Sequence, residues 1–467
     1  MKPLLDCSPI PEIQINEEAL KTLACYFYSA NPNDIDEQIV SLRTGLHKGE
    51  NDEVARVKTL WWTGRFIGVA NIKCDKKNIE ISIKPRFGES FLLTLVEDIY
   101  NIKIFNNDAE ITENKDNKWF SNLLNILRLK IWVEKCALAN KYGLPRRNTK
   151  CEHRGITLRG AINTNKTMLP WLMKKEVVTN TYEKVLDDSI CKILYEAHKI
   201  LTKNIKQNSV KGTRNTNDKK LQFSQHSTPP RVQDVINTLE SNFKGKLFNI
   251  KESDYNNIKY KSIYQSWKPL VDLSWSIIKE KHLGNKASLS QSNCLFVDMA
   301  EIWESFLRKK LAEGLSEDGW RLWNSSECKI PVYNASFFST HIIPDIVLHR
   351  ISNIDGKDEF LVFDAKYKRM KAEKYDIDRS DLFQIHTYIH YFQHKYPDSR
   401  VLLGGLLYPL FASDDFSGNC SFNLYGSEGL FSTKFMVDGV VCDDFKVENK
   451  DTRVNEMIER IKRYIGN

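Results

Sequence analysis

The sequence lacks the features of several protein classes. It has ten cysteines, but no two stand at a Cys-x-x-Cys spacing, so a cysteine-ligated zinc site is not expected. No apolar run reaches the roughly 18 residues that a membrane-spanning helix needs, and Met1–Asp6 shows no apolar core of a signal peptide. No Gly-x-x-x-x-Gly-Lys-Ser/Thr phosphate loop occurs either. We therefore expect a cytoplasmic protein without contact to a membrane, with reduced cysteines, that binds no nucleotide itself.

The length and composition predict a globular protein of several domains. The chain has 467 residues, of which 41% are hydrophobic and 27% charged, and domains usually hold about 100–200 residues. A period-2 alternation over 78–83 and helical periodicity after it predict an N-terminal α+β domain, residues 1–147. The next region, 148–289, is predicted to be mostly helical and basic. Strands and helices alternate over 290–467, so the overall fold class is multi-domain α/β with a mixed sheet in the last domain.

Positive charge is concentrated in two stretches. The chain carries +8 overall, whereas 141–170 and 203–231 each carry +6, so the remainder sums to −4. Concentrated positive charge is typical of proteins that bind polyanions such as DNA. The predicted phosphate contacts in the first stretch are Arg146, Arg147, Lys150, Arg154 and Arg159. The alternative is that both stretches are solvated loops.

The strongest chemical signal lies in the last segment. Asp345 stands at the start of an apolar run, and a second apolar run ends in Asp364-Ala365-Lys366. Two buried carboxylates without partners would be costly, and a divalent cation removes that cost. Two carboxylates with the carbonyl of Ala365 form a hard oxygen site that suits Mg²⁺, or alternatively Mn²⁺. Lys366 shares a strand face with Asp364, where it can orient a water molecule beside the metal.

This pattern resembles the signature of the PD-(D/E)XK nuclease fold. The resemblance implies a nuclease-like mixed-sheet domain with Asp345, Asp364 and Lys366 at its catalytic centre. Gln384 and Tyr388 form a Gln-x-x-x-Tyr that is similar to the motif of RecB-like members, in which both side chains face the active site. The fold commonly supplies a further acidic metal ligand from the preceding helix, and that position is Glu304 here.

Each of these residues also has an ordinary structural alternative. Asp345 could be a turn residue at a strand end, and Glu304 could pair with Arg308 on a helix surface. Gln384 and Tyr388 could be common helix residues. Lys366 begins a basic run that could simply be a solvent-exposed segment after the end of a strand. The same run contains Lys368 and Arg369, which we predict to contact DNA.

The resemblance extends to the McrC family over most of the chain. It includes Pro344–Leu348, Asp364–Lys368 and Leu406–Pro409, and in the first half a hairpin around Ile79–Phe87. Leu158–Asn163 is similar to the family's Arg-Gly-x-Ile-Asp element, with Asn163 in place of the acid, so a catalytic role for Asn163 is not expected.

Membership of this family implies a partner. The family supplies the nuclease subunit of modification-dependent restriction systems and works with an McrB-like AAA+ GTPase ring, which recognises modified DNA. The resemblance therefore implies DNA, expected to be methylated, as the substrate. It also implies that residues 1–147 form a docking domain that stimulates the partner's GTPase.

Three functions follow as hypotheses. The first is a metal-dependent DNA endonuclease subunit of a 5-methylcytosine-type restriction system. The second is a non-catalytic DNA-binding or NTPase-activating adaptor on a nuclease scaffold, which the intact Glu304, Asp345, Asp364 and Lys366 oppose. The third is a stand-alone restriction or repair nuclease, which the long N-terminal portion without chemistry of its own opposes.

Overall fold

The computed structural model describes most of the chain. The described residues are 3–11, 17–24, 38–47, 56–74, 77–100, 117–210, 228–286, 295–323, 328, 330–334, 339–368, 377–413, 421–423, 433–446 and 448–466.

Helices and strands alternate irregularly along the described residues. The helices are α1 (Glu17–Ala24), α2 (Glu89–Tyr100), α3 (Asn117–Ala139), α4 (Thr164–Lys174), α5 (Asp188–Val210), α6 (Pro230–Phe243), α7 (Glu252–Asn256), α8 (Lys268–Lys286), α9 (Met299–Gly314), α10 (Arg379–Lys395) and α11 (Lys450–Ile465). The strands of the first half are β1 (Leu4–Leu5), β2 (Val40–His47), β3 (Arg56–Thr63), β4 (Phe66–Cys74), β5 (Lys77–Lys84), β6 (Arg146–Gly155), β7 (Ala161–Ile162) and β8 (Val177–Leu186). The strands of the second half are β9 (Leu295–Asp298), β10 (Arg321–Leu322), β11 (Ile330–Asn334), β12 (Ser339–Ile342), β13 (Ile346–Ile351), β14 (Asp358–Ala365), β15 (Arg400–Leu410), β16 (Ser421–Asn423) and β17 (Lys434–Val441).

The chain divides into two compact units, and this division differs from the predicted boundaries. One unit combines the described parts of 1–117 with those of 295–467, and the other lies within 118–294. The first unit is discontinuous because β4 pairs with β9, which aligns Phe66 with Asp298 in the sheet order β1-β5-β4-β9. The predicted N-terminal domain, 1–147, therefore shares a sheet with the predicted last domain, 290–467, and α3 belongs to the other unit.

A six-stranded mixed sheet forms the centre of the first unit's second half. Its order is β10-β13-β14-β15-β17-β16, with β14 parallel to β15 and antiparallel to β13. Residues 359–364 of β14 are buried on both sheet faces, as expected of an apolar central strand. Gly405 is required on β15, because a Cβ there would lie 2.6 Å from the carbonyl oxygen of Met436 on β17.

The second unit contains a helical core and a small sheet. Buried side chains of α3, α5, α6 and α8 form one hydrophobic cluster, and the Trp132 indole donates to the Ser274 hydroxyl at 3.0 Å. Helices were predicted here, but the three-stranded sheet β6-β8-β7 was not. Strand β6 reads Arg-Arg-Asn-Thr-Lys-Cys-Glu-His-Arg-Gly, so it lacks the apolar alternation by which a strand is recognised in a sequence.

Within the described residues, no helix combines the length and the apolar character that crossing a membrane demands.

A buried ion pair fixes the last helix to the sheet. Arg460 of α11 donates to both carboxylate oxygens of Asp438 on β17 at 2.6 and 2.9 Å, and to the carbonyl of Gly439 at 3.0 Å. Asp438 is only 4% exposed. Two aligned charge-assisted hydrogen bonds satisfy this carboxylate, which would otherwise be costly to bury.

We predict that Arg460→Ala lowers the free energy of unfolding by about 3–5 kcal/mol, because it leaves Asp438 buried without its cation. The double variant Arg460→Met with Asp438→Asn should lose less, because no charge remains unpaired. Calorimetric unfolding of both variants tests this, and an equal loss in the two would contradict the charge-based explanation.

Candidate active site

Two acids meet at the end of the pair β13–β14. The antiparallel register aligns Ile346 with Phe363, and one step further it brings Asp345 beside Asp364. The backbone amide of Ala365 donates to Asp345 Oδ2 at 2.8 Å. Asp364 is fully buried, and its Oδ1 has no hydrogen-bond partner among the described residues.

The environment disfavours negative charge on both acids. Burial, together with the charges of Asp364 and Glu304, raises the pKa of Asp345 to about 8, whereas the Ala365 amide opposes the rise. Burial also raises the pKa of Asp364, with a contribution from Asp381 and opposition from Lys366. Perturbed carboxyl groups of this kind are typical of functional sites.

Lys366 is the cation of this cluster. Its Nζ lies 2.6 Å from Asp364 Oδ2 and 3.4 Å from Asp381 Oδ1, and it donates to Gln384 Oε1 at 2.9 Å. Burial lowers the pKa of Lys366, but the neighbouring carboxylates outweigh it, Asp364 most strongly, so the pKa is raised. The lysine therefore stays an ammonium that bridges the strand end and α10.

Helix α10 supplies the second wall of the site. Gln384 Nε2 donates to the Tyr388 hydroxyl at 2.7 Å, and that hydroxyl donates to the carbonyl of Ile343 at 3.3 Å. This chain of bonds fixes the Gln384 amide so that its oxygen faces Lys366. The five residues Asp345, Asp364, Lys366, Gln384 and Tyr388 are thus brought together as the sequence motifs predict.

The remaining predicted residues are arranged differently. Glu304 lies on α9 and pairs with Arg308 at 3.1 Å, the alternative considered above, although its charge still acts on Asp345. Lys368 is held by Asp378 and Asp381, which partly neutralises this predicted DNA contact. Arg369 lies outside the described residues.

The predicted DNA contacts of the basic stretch lie in the second unit, on or near β6. Arg146, Arg147 and Lys150 are exposed, as is Arg159, but Arg154 pairs with Glu176 at 2.8 Å. Most of the second basic stretch falls in 211–227, outside the described residues. Asn163 caps α4 by accepting the Lys166 amide at 3.3 Å, and this capping role is consistent with the loss of an acid at that position.

No three His, Cys, Asp or Glu side chains within the described ranges cluster closely enough to hold a metal ion. Two carboxylates do converge, and the unpartnered Oδ1 of Asp364 is a buried hard oxygen donor, so this pair fits a divalent cation. Further ligands would come from the Ala365 carbonyl and from Glu304 after it leaves Arg308.

One acid of this cluster, Asp381, was not predicted from the sequence. Asp381 on α10 is only 4% exposed and lies within reach of both Lys366 and Lys368. The signal was available, because Asp381, Gln384 and Tyr388 stand at i, i+3 and i+7 and so share a helix face. The sequence does not show that the side chains of Lys366 and Lys368 both point to that face.

We predict that Asp345→Asn raises the unfolding free energy of the metal-free chain by about 1–2 kcal/mol, as removal of functional strain commonly does. The amide oxygen can still accept the Ala365 amide, while the cost of placing an ionisable carboxyl group beside the buried Asp364 is gone. Thermal unfolding with a chelator measures this. Asp358→Asn at the exposed start of β14 is the matched control, and an unchanged or lower midpoint for Asp345→Asn would contradict the prediction.

Comparisons with known proteins agree with the motifs. A family model described as "McrBC 5-methylcytosine restriction system component" matches residues 62–409. No curated protein matches the sequence.

Two solved structures are similar to the chain. One is a half-complex from a tetradecameric assembly of Thermococcus gammatolerans McrB AAA+ hexamers with bound McrC, at 13% identity and a TM-score of 0.40, over 98% of this chain and 99% of that one. The other is the Thermococcus gammatolerans McrBC complex, at 13% identity and a TM-score of 0.30, over 67% of this chain and 87% of that one. Because the family model spans most of the sequence, the chain belongs to the family of McrBC 5-methylcytosine restriction system components, as its motifs predicted.

Proposed function

We propose that this chain is the metal-dependent DNA endonuclease subunit of a modification-dependent restriction system, with a PD-(D/E)XK-type catalytic centre. The observation that carries the proposal is the buried Asp364 with the half-buried Asp345 beside it and Lys366 against Asp364. Such a pair is costly for stability alone, and it is the donor set that a phosphodiester hydrolase needs.

Asp345, Asp364, the Ala365 carbonyl and Glu304 would hold Mg²⁺ or Mn²⁺. The cation would supply Lewis-acid polarisation of the scissile phosphate. The chain's own part is to present two carboxylates at a fixed spacing, which the Ala365 amide secures for Asp345 by its bond at 2.8 Å.

Lys366 acts on the reacting groups, and Gln384 holds Lys366 in place. The ammonium of Lys366 lies at the mouth of the acid pair, where it stabilises negative charge that develops on the phosphate and orients the attacking water. Gln384 holds this ammonium at 2.9 Å, and Tyr388 fixes the Gln384 amide in turn. The arrangement thus ties the ammonium of Lys366 to α10.

We predict that Asp364→Asn abolishes DNA cleavage and also abolishes the rise in thermal midpoint that Mg²⁺ produces in the native chain. Loss of a metal ligand removes both, because a cation that binds only the folded state stabilises it. Asp358→Asn on the same strand is the control and should retain both. Cleavage by Asp364→Asn at the native rate would favour a non-catalytic adaptor.

An unusual surface in the second unit supports a protein partner. Helix α4 has no buried residue, although an isolated helix of its length is marginal in water. Exposed apolar side chains lie on this helix, on β7 and β8, and in the segment between β6 and β7. They are Ile156, Leu158, Ile162, Met168, Leu169, Trp171, Leu172, Met173 and Tyr182.

This α4 surface, defined by those side chains, is the docking site that we propose for an McrB-like AAA+ GTPase ring. Exposed apolar clusters of this extent mark interaction sites, and methionines adapt to a partner's contour. Residues 146–186 carry a net charge of +6, which favours an acidic partner surface. The surface lies beyond the predicted docking domain, 1–147.

We predict that Leu169→Glu with Leu172→Glu removes stimulation of the partner's GTPase, because two charges would be buried in the interface. Leu247→Glu, at a leucine that is 92% exposed in the same unit, should leave stimulation intact. Asp364→Asn should also retain it, since cutting and docking use different surfaces. The measurement is GTP hydrolysis by the ring with each variant; native stimulation by the double variant would contradict this assignment.

The predicted DNA contacts on and near β6 are tested separately. We predict that neutralising Arg146, Arg147, Lys150 and Arg159 together reduces the slope of log K against log salt by roughly 0.9 for each lost phosphate contact. The binding measurement uses one DNA duplex at several salt concentrations. An unchanged slope would assign these residues to solvent or to the partner.

A further inference from the structure

Asp381 is a buried acid for which the proposed mechanism has no role. It lies in the first turn of α10 at 4% exposure. Gln384 and Tyr388, on the same helix face, already take part in the site.

Two ammonium groups converge on this carboxylate. Lys366 Nζ is 3.4 Å from Asp381 Oδ1, and Lys368 Nζ is 3.3 and 3.2 Å from Oδ1 and Oδ2. Lys368 also lies 3.4 Å from Asp378 Oδ2. Asp381 is therefore the carboxylate common to both lysines, and Asp378 belongs to Lys368 alone among the contacts of the described residues.

The position of Lys366 depends on which carboxylates share its ammonium. Lys366 lies between Asp364 at 2.6 Å and Asp381 at 3.4 Å. A divalent cation on Asp364 competes with the ammonium for the same oxygens and repels it. Lys366 then retains Gln384 and Asp381 as partners, both on α10.

We propose that Asp381 is a positioning residue that draws Lys366 toward α10 and so frees Asp364 for the metal. This inference rests on the proposed function. Without Asp381, Lys366 has Asp364 as its one close carboxylate, and the cation must displace it. Both metal binding and the placement of Lys366 for catalysis should suffer.

The experiment compares Asp381→Asn with two matched variants in the full chain. Asp378→Asn removes the same charge from the same helix end, at a side chain that is 64% exposed. Lys368→Met removes the other ammonium and leaves the Lys366–Asp381 pair. Asp381→Glu restores the charge as a conservative variant.

Two readouts are taken. The first is the Mg²⁺ concentration at the midpoint of the thermal shift, which requires no activity, and the second is kcat and KM for DNA cleavage with the AAA+ partner. We expect Asp381→Asn to raise the Mg²⁺ midpoint and to lower kcat by about 10- to 100-fold, with little change in KM for DNA. Asp381→Glu should lie nearer the native chain on both readouts. Asp378→Asn should match the native chain on both, and Lys368→Met, at a predicted DNA contact, is compared in the Mg²⁺ midpoint alone, where it should match the native chain.

Native values for Asp381→Asn on both readouts would overturn the proposal. An equal rise of the Mg²⁺ midpoint in Lys368→Met, or equal losses on both readouts in Asp378→Asn, would overturn it as well. A crystal structure of Asp381→Asn provides an independent check, in which we expect Asp364 to be the one carboxylate beside Lys366 Nζ. A native chain that shows neither a Mg²⁺ shift nor cleavage would overturn the proposed function itself. If instead the native chain shows both the Mg²⁺ shift and cleavage, and Asp381→Asn keeps both, only the role proposed for Asp381 is overturned.

Discussion

The burial of Asp364 beside the half-buried Asp345 is the constraint on which the rest of the first unit depends. Asp364 is wholly removed from solvent, and Asp345 stands next to it at the end of the neighbouring strand. Burial and proximity both oppose ionisation. The chain offsets this cost with one backbone amide and one lysine, and it leaves an oxygen of Asp364 unsatisfied among the described residues. A structure that only had to fold would gain from apolar residues here.

The segment that follows these acids is held from the N-terminal part of the same unit. Arg86 donates to the carbonyl of Lys368 at 3.0 Å and lies over the Tyr367 ring at 4.5 Å. The Cys7 thiol faces the carbonyl of Tyr367 at 3.6 Å. Together with the pairing of β4 and β9, these contacts make the N-terminal strands part of the scaffold that positions the active-site strand. The N-terminal strands therefore do not form a separate module, and the docking site that we propose is the exposed α4 surface of the second unit.

Local pattern was sufficient for much of the fold. The apolar runs after Asp345 and before Ala365 are strands β13 and β14, as the sequence indicates, and Gln384 and Tyr388 lie on one helix, because these patterns are local signals. The three-stranded sheet was missed because β6 is polar on both faces. The discontinuous unit was missed because it depends on pairing between residues 66–69 and 295–298, more than two hundred residues apart.

The candidate site likewise has features that the local sequence predicts and features that it does not. Motif spacing predicted five of its side chains correctly as neighbours, since strand and helix periods fix which residues share a face. It could not decide between the two roles open to Glu304, which pairs with Arg308 yet remains near enough to affect Asp345. Nor could it find Asp381, whose part in the cluster depends on where two lysines from another element point.

The most direct test of the account is where a metal binds. Anomalous diffraction from crystals of the full chain grown with Mn²⁺ would locate the cation without reference to activity. We predict an anomalous peak between the carboxylates of Asp345 and Asp364, with the Ala365 carbonyl as a ligand and Lys366 closer to Asp381. An empty site between the two acids at a saturating Mn²⁺ concentration would contradict it.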